Sequence, residues 1–153
     1  MEQEISELTE KEKEWLALQL QVASAFIETF SPRDAGHPVS LAALDRAFAA
    51  WMATQPTEGD VINGTINGVG MAFGQTLVDG LGMQWIIATH DQGSEMAVYG
   101  LPGSADVLVY PANFVAKRWE RREVNFLEAS YGLIAEDVSR LAREHGLKSP
   151  SKV

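Results

Sequence analysis

The chain has 153 residues and no cysteine, is 46% hydrophobic and 22% charged, and carries a formal net charge of −9. That length suits one domain with a core that needs no metal or disulfide, and the absence of cysteine excludes disulfides, thiol nucleophiles and cysteine-ligated metals while fitting a reducing compartment. The negative charge disfavours nucleic acid, whose binding draws on clustered cations, and it matches a basic protein partner instead.

The first fourteen residues hold six glutamates against two lysines, the reverse of a secretory signal. Thr9-Glu10-Lys11-Glu12 is a capping box. Behind it Trp15, Gln19, Val22, Ala23, Phe26, Ile27 and Phe30 recur at helical spacing and predict a helix over 10–30. The breakers between Ser31 and Pro38 predict a loop. Ser40 caps a second helix over 41–54, with Leu41, Leu44, Phe48, Trp51 and Met52 on its buried face. Gln55-Pro56-Thr57-Glu58-Gly59 ends it.

A third helix is expected over 61–79, with Asp60 at its N-cap. Asn63-Gly64 and Asn67-Gly68 are hairpin-turn signals, but they lie too close together to leave strands between them. Gly64 and Gly68, with Gly70 and Gly74 offset, instead make a side-chain-free strip on a helix. Such a helix loses about 1 kcal/mol per glycine relative to alanine and needs close packing to offset it. The uncharged run 61–78 also contains Asn63, Asn67 and Gln75, too polar for a membrane span.

Gly80-Leu81-Gly82 stops that helix and the period changes to two. Residues 84–101 read as a hairpin about the turn Asp91-Gln92-Gly93-Ser94. Pro102 to Ala105 is a second turn, and Asp106 to Tyr110 a third strand. Pro111 suits the first turn of a helix, expected over 112–121. A last helix over 124–145 carries the seam Leu127, Tyr131, Ile134, Val138 and Leu141, and Gly146 terminates it. Residues 148–153 read as a flexible tail after a single domain over 1–147. The expected fold is α+β: three N-terminal helices, a three-stranded antiparallel meander, and two C-terminal helices packed on one face of the sheet.

Few constellations carry chemistry. Gly68-Val69-Gly70-Met71-Ala72-Phe73-Gly74 is a relative of the dinucleotide fingerprint, but it lacks the apolar strand that should precede it. His90, Asp91 and Glu95 bracket an exposed turn, where carboxylates gain no tuning from burial. His37 lies in a Pro/Gly loop and His145 near a helix end, neither with a partner. No catalytic residue, metal site or cofactor is assigned.

Charge is more informative. Between Arg46 and Lys117 there is no lysine or arginine. Asp79, Asp91, Glu95 and Asp106 in that segment are candidates for an acidic, partner-binding face. Lys117, Arg118, Arg121 and Arg122 form a cationic cluster around Trp119. It reads either as the solvated back of a helix anchored by Phe114, Val115 and Trp119, or as an anion site.

Two stretches, "GVGMAFGQTLVDGLGMQWIIATHDQGSEMAVYG" and "VLVYPANFVAKRWE", resemble in their order the bacterial family known as domain of unknown function 3806. The shared pattern is a glycine-spaced helix, Leu81-Gly82 leading to Trp85, the Asp91/Gly93 turn, then an apolar strand, proline and Val115-Ala116-Lys117-Arg118. It covers roughly 64–120 and implies a bacterial source and an α+β fold, with no activity to transfer. The expectation is therefore a small acidic cytoplasmic protein of immunity or regulatory type that binds a basic protein, with no nucleic acid or membrane partner. The rival is a small-ligand-binding protein or hydrolase-like enzyme with a pocket between sheet and glycine helix. The chain is expected to be a monomer, or a homodimer through the Leu127–Leu141 seam.

Overall fold

In the computed structural model, which describes residues 4–36 and 38–147, the expected capping box forms at the start of the first helix. Thr9 Oγ1 accepts the Glu12 N–H at 3.3 Å, and Glu12 Oε1 accepts the Thr9 N–H at 2.7 Å. A short strand, β1 (Glu4–Ser6), precedes it, and helix α1 (Glu10–Phe30) runs from it. Leu16, Gln19, Ala23, Phe26 and Ile27 are buried on α1. Trp15, expected on that stripe, is instead 37% exposed; Leu16, one step round the helix, takes the inward position.

Helix α2 (Leu41–Ala53) is capped by Ser40, whose Oγ accepts the Ala43 N–H. Helix α3 is Gly59–Leu81. It starts earlier than expected, with Glu58 at the N-cap and Asp60 inside the first turn, where a carboxylate favours the positive end of the helix dipole. Strands β2 (Gln84–His90), β3 (Gly93–Gly100) and β4 (Val107–Val109) follow, then helices α4 (Pro111–Glu120) and α5 (Leu127–Glu144).

The α+β class is as expected, and β2, β3 and β4 form the antiparallel meander. The sheet, however, has four strands in the order β1-β2-β3-β4. The added strand pairs Ile5 with Ala88 and covers the free edge of β2. The C-terminal helices are also placed differently from the expectation. The helix that meets the sheet is α3; α4 lies along α3, and α5 rests on α2 and α3. The glycines explain why α3 takes this central place. A Cβ on Gly68 would strike the Val22 side chain of α1 at 2.8 Å. One on Gly70 would strike the backbone of Ala112 in α4 at 2.9 Å. One on Gly74 would strike the Trp85 ring. The glycines thus serve three neighbours, not one strip, and Gly64 has nothing within 4 Å.

The main core lies between α1, α2, α3, α4 and the start of α5. Phe48 sits at its centre, with ring contacts to Trp51 at 5.4 Å and Phe126 at 5.3 Å. One buried carboxylate holds this arrangement together. Asp45 of α2, 7% exposed, accepts the N–H groups of Leu127 at 2.9 Å and Glu128 at 3.1 Å. The N-cap residue of α5, Phe126, offers no side-chain acceptor, so a residue from a distant helix satisfies these orphan donors. From the next position on α2, Arg46 donates two bonds to Asp34, at 2.8 and 3.0 Å, and the Ser31 hydroxyl donates a third. These bonds, Arg46 first, lower the Asp34 carboxyl to a pKa of about 2.

Gly146 ends α5 at φ 68, and the Leu147 N–H reaches back to the Ala142 carbonyl. The tail expected over 148–153, and His37, lie outside the described residues. Among the described residues no helix is long and apolar enough to cross a membrane.

Candidate functional sites: an open sheet face and a helix-end notch

Alternation along the strands gives the sheet two faces. On one, Trp85, Val98, Val107 and Val109 join the main core. Gly74 leaves the space that the Trp85 ring fills, with Pro111 beside it. The indole N–H donates to Gln75 Oε1 at 3.0 Å, and Gln75 Nε2 donates to Asp79 Oδ1 at 2.9 Å. The space between sheet and glycine helix is therefore occupied by tryptophan at this point.

On the other face, Ile86, Ala88 and Ala97 are buried beneath Tyr99, Leu108 and Tyr110. Among the described residues this second cluster draws its members from the strands and from Tyr110 just after β4, with no helix in it. Ile5 extends the apolar surface at the β1 edge and is 42% exposed. Residues 84–110 contain Asp91, Glu95 and Asp106 and no lysine or arginine. The open face is thus apolar at its centre and anionic at its rim.

The four candidate acidic residues are not gathered in one place. Glu95 and Asp106 belong to the open face but lie at opposite ends of β3. Asp91 is in the exposed hairpin turn between His90 and Gly93. Asp79 is on the helix side, bonded to Gln75. Asp106 is partly committed to structure: its Oδ1 accepts the Tyr99 hydroxyl and the Gly103 N–H. Those bonds, Tyr99 first, lower the Asp106 pKa, and the same contact raises that of Tyr99. They hold a loop in which Leu101, Gly103 and Asp106 all have positive φ. His90 Nε2 stands 3.4 Å from Glu95 Oε2 on the exposed surface. Among the described residues no three His, Cys, Asp or Glu side chains are placed to hold a metal ion.

The cationic cluster divides by role. Arg118 is half-buried, bonded to Glu123 at 2.8 Å and stacked over Phe114 at 4.8 Å. It belongs to the packing of α4. Lys117 and Arg121 are exposed. Arg122 lies beyond the helix, at φ 56, with its guanidinium carbon 4.1 Å from the centroid of the Trp119 ring. Trp119 also meets buried Trp51, ring centroids 5.0 Å apart. Beside this stack is a cavity of about 450 Å³ lined by Met52, Gln55, Pro56, Thr57, Trp119 and Arg122. Trp119 and Arg122 stand out in the sequence, but Gln55-Pro56-Thr57 reads there only as a helix stop. That this stop faces the end of α4 is a tertiary fact without a local signal.

The fingerprint-like glycines 68–74 lie in the middle of α3, away from its N-terminus, so they cannot present backbone N–H groups to a pyrophosphate. No curated protein and no solved structure matches the chain. The family described as "Domain of unknown function (DUF3806)" matches residues 52–130, a span that holds β2, β3, β4 and the whole notch beside Trp119, and the chain belongs to that family.

Proposed function

We propose that the chain acts by binding a basic protein on the open face of its sheet, as a cytoplasmic bacterial protein of immunity or regulatory type. The observation that carries this reading is the apolar surface over the second cluster, half-buried Tyr99, Leu108 and Tyr110 with Ile5 exposed at its edge, in a stretch, residues 84–110, that contains no lysine or arginine. An apolar sheet face loses its hydrophobic stabilisation in water unless something covers it. The rim selects the partner: lysines and arginines around an apolar centre complement Asp91, Glu95 and Asp106 and speed encounter. The cysteine-free composition supports a reducing compartment.

Site-specific photocrosslinking in the native host tests the proposal. A crosslinking residue at Leu108 is expected to trap a protein with a basic surface, with a yield that falls as salt rises and on Asp91→Lys plus Glu95→Lys. The same residue at Leu133, exposed on α5, is the control. An adduct as abundant from position 133, or one indifferent to charge reversal, overturns the reading.

A further inference from the structure

We propose that the notch between the C-terminal ends of α2 and α4 binds a small aromatic monocarboxylate, held by Arg122. The site is built where two helices stop. Beyond Ala53 and beyond Glu120 the chain turns away through left-handed residues, Gln55 at φ 57 and Arg122 at φ 56. Neither is glycine, so each turn is held at a conformational cost that surrounding structure must offset. The two turns leave the 450 Å³ cavity between them, a volume in the range of small-molecule sites.

The walls define the body of the ligand. Met52, Pro56 and Trp119 supply apolar surface. Trp119 cannot yield inward, because buried Trp51 backs its ring. A thioether beside an indole favours a flat, polarisable group. Gln55 and Thr57 add neutral polar groups at the rim.

Arg122 defines the charge. Its planar fork carries five donors, and the side-chain bond it makes within the protein is a long one, 3.5 Å from Nη1 to the Trp119 carbonyl. Among the described residues it has no ion pair, whereas Arg118, one turn earlier, has Glu123 at 2.8 Å. Stacking on Trp119 orients the guanidinium at the cavity and leaves its N–H edge for a bidentate carboxylate. A single negative charge fits better than a phosphate. Arg122 is the one cation among the lining residues, and the partial negative charge at the ends of α2 and α4 repels a dianion more than a monoanion. This site is separate from the open sheet face, so the two proposals stand or fall independently.

The test is a titration of the 15N-labelled protein with indole-3-acetate, followed on the four tryptophan indole signals. The Trp119 signal is expected to move saturably while those of Trp15 and Trp85 stay in place. Neutral indole and indole-3-ethylamine should bind about tenfold more weakly or worse, the usual worth of a charge-assisted bond. Arg122→Gln should weaken the acid by a similar factor, and Arg121→Gln by much less. If Arg122→Gln alters the amide spectrum as a whole, the acid-against-amine comparison on the unaltered chain decides. Equal affinity for acid and amine, a linear response, or a largest shift at Trp15 or Trp85 overturns the assignment.

Discussion

The two faces of the sheet are made from the same strands, yet they meet different surroundings. Trp85 and Val98 point at α3, and Gly74 is shaped to receive the indole. Ile86 and Ala97, each one residue away, point to a face with no described helix. Burial on the first face is completed within the chain. On the second it is completed only locally, by Tyr99, Leu108 and Tyr110 spreading over two alanines. The difference teaches that apolar alternation reports a buried face without saying what covers it. The first face belongs to stability, and the second is the one proposed for recognition.

That distinction can be broken by substitution. The largest effect is expected on the helix side: Trp85→Ala empties the space opposite Gly74, removes the bond to Gln75 and should cost about 3 kcal/mol in urea denaturation. Next come two substitutions within α3. Gly70→Ala sets a methyl against the Ala112 backbone, which cannot yield as a flexible side chain can, and should cost about 1–3 kcal/mol. Gly64→Ala meets open space and should stabilise by about 0.5–1 kcal/mol through helix propensity. The smallest effect is expected on the open face. Leu108→Thr puts a β-branched residue in a half-buried strand position and should cost under about 1 kcal/mol in the same denaturation experiment. If it costs as much as Trp85→Ala, the open face is an ordinary core and the contrast between faces fails.

Much of this architecture is legible in the sequence where a signal is local. The Thr9 capping box, the α2 periodicity, the Asp91/Gly93 turn and the Pro111 helix start all repeat within a few residues. Strand β1 is not legible, because Glu4-Ile5-Ser6 offers one apolar residue in an acidic run and becomes a strand by borrowing the free edge of β2. The start of α5 is displaced for a related reason. Arg122 and Asn125 adopt positive φ, delaying the helix until its N–H groups reach Asp45, and that contact spans 82 residues. At the candidate sites, the isolation of Lys117–Arg122 from other cations is visible in the sequence, but the separation of Arg118 from Arg122 is not. One is neutralised by Glu123 and packed on rings of the core, and the other is left beside a cavity.

The Asp45 tie also bears on the order in which the molecule assembles. The N-cap of α5, Phe126, makes no side-chain hydrogen bond, and an 18-residue segment with Gly132 inside it is marginal as a free helix in water. Its first turn is completed in the folded chain by a carboxylate that α2 offers from outside. The helicity of residues 127–144 is therefore a readout of whether the two ends of the chain have met. The family-matched span, 52–130, contains neither Asp45 nor most of α5. The donors of this contact, Leu127 and Glu128, lie within that span, and the acceptor, Asp45, is supplied by the flank before it.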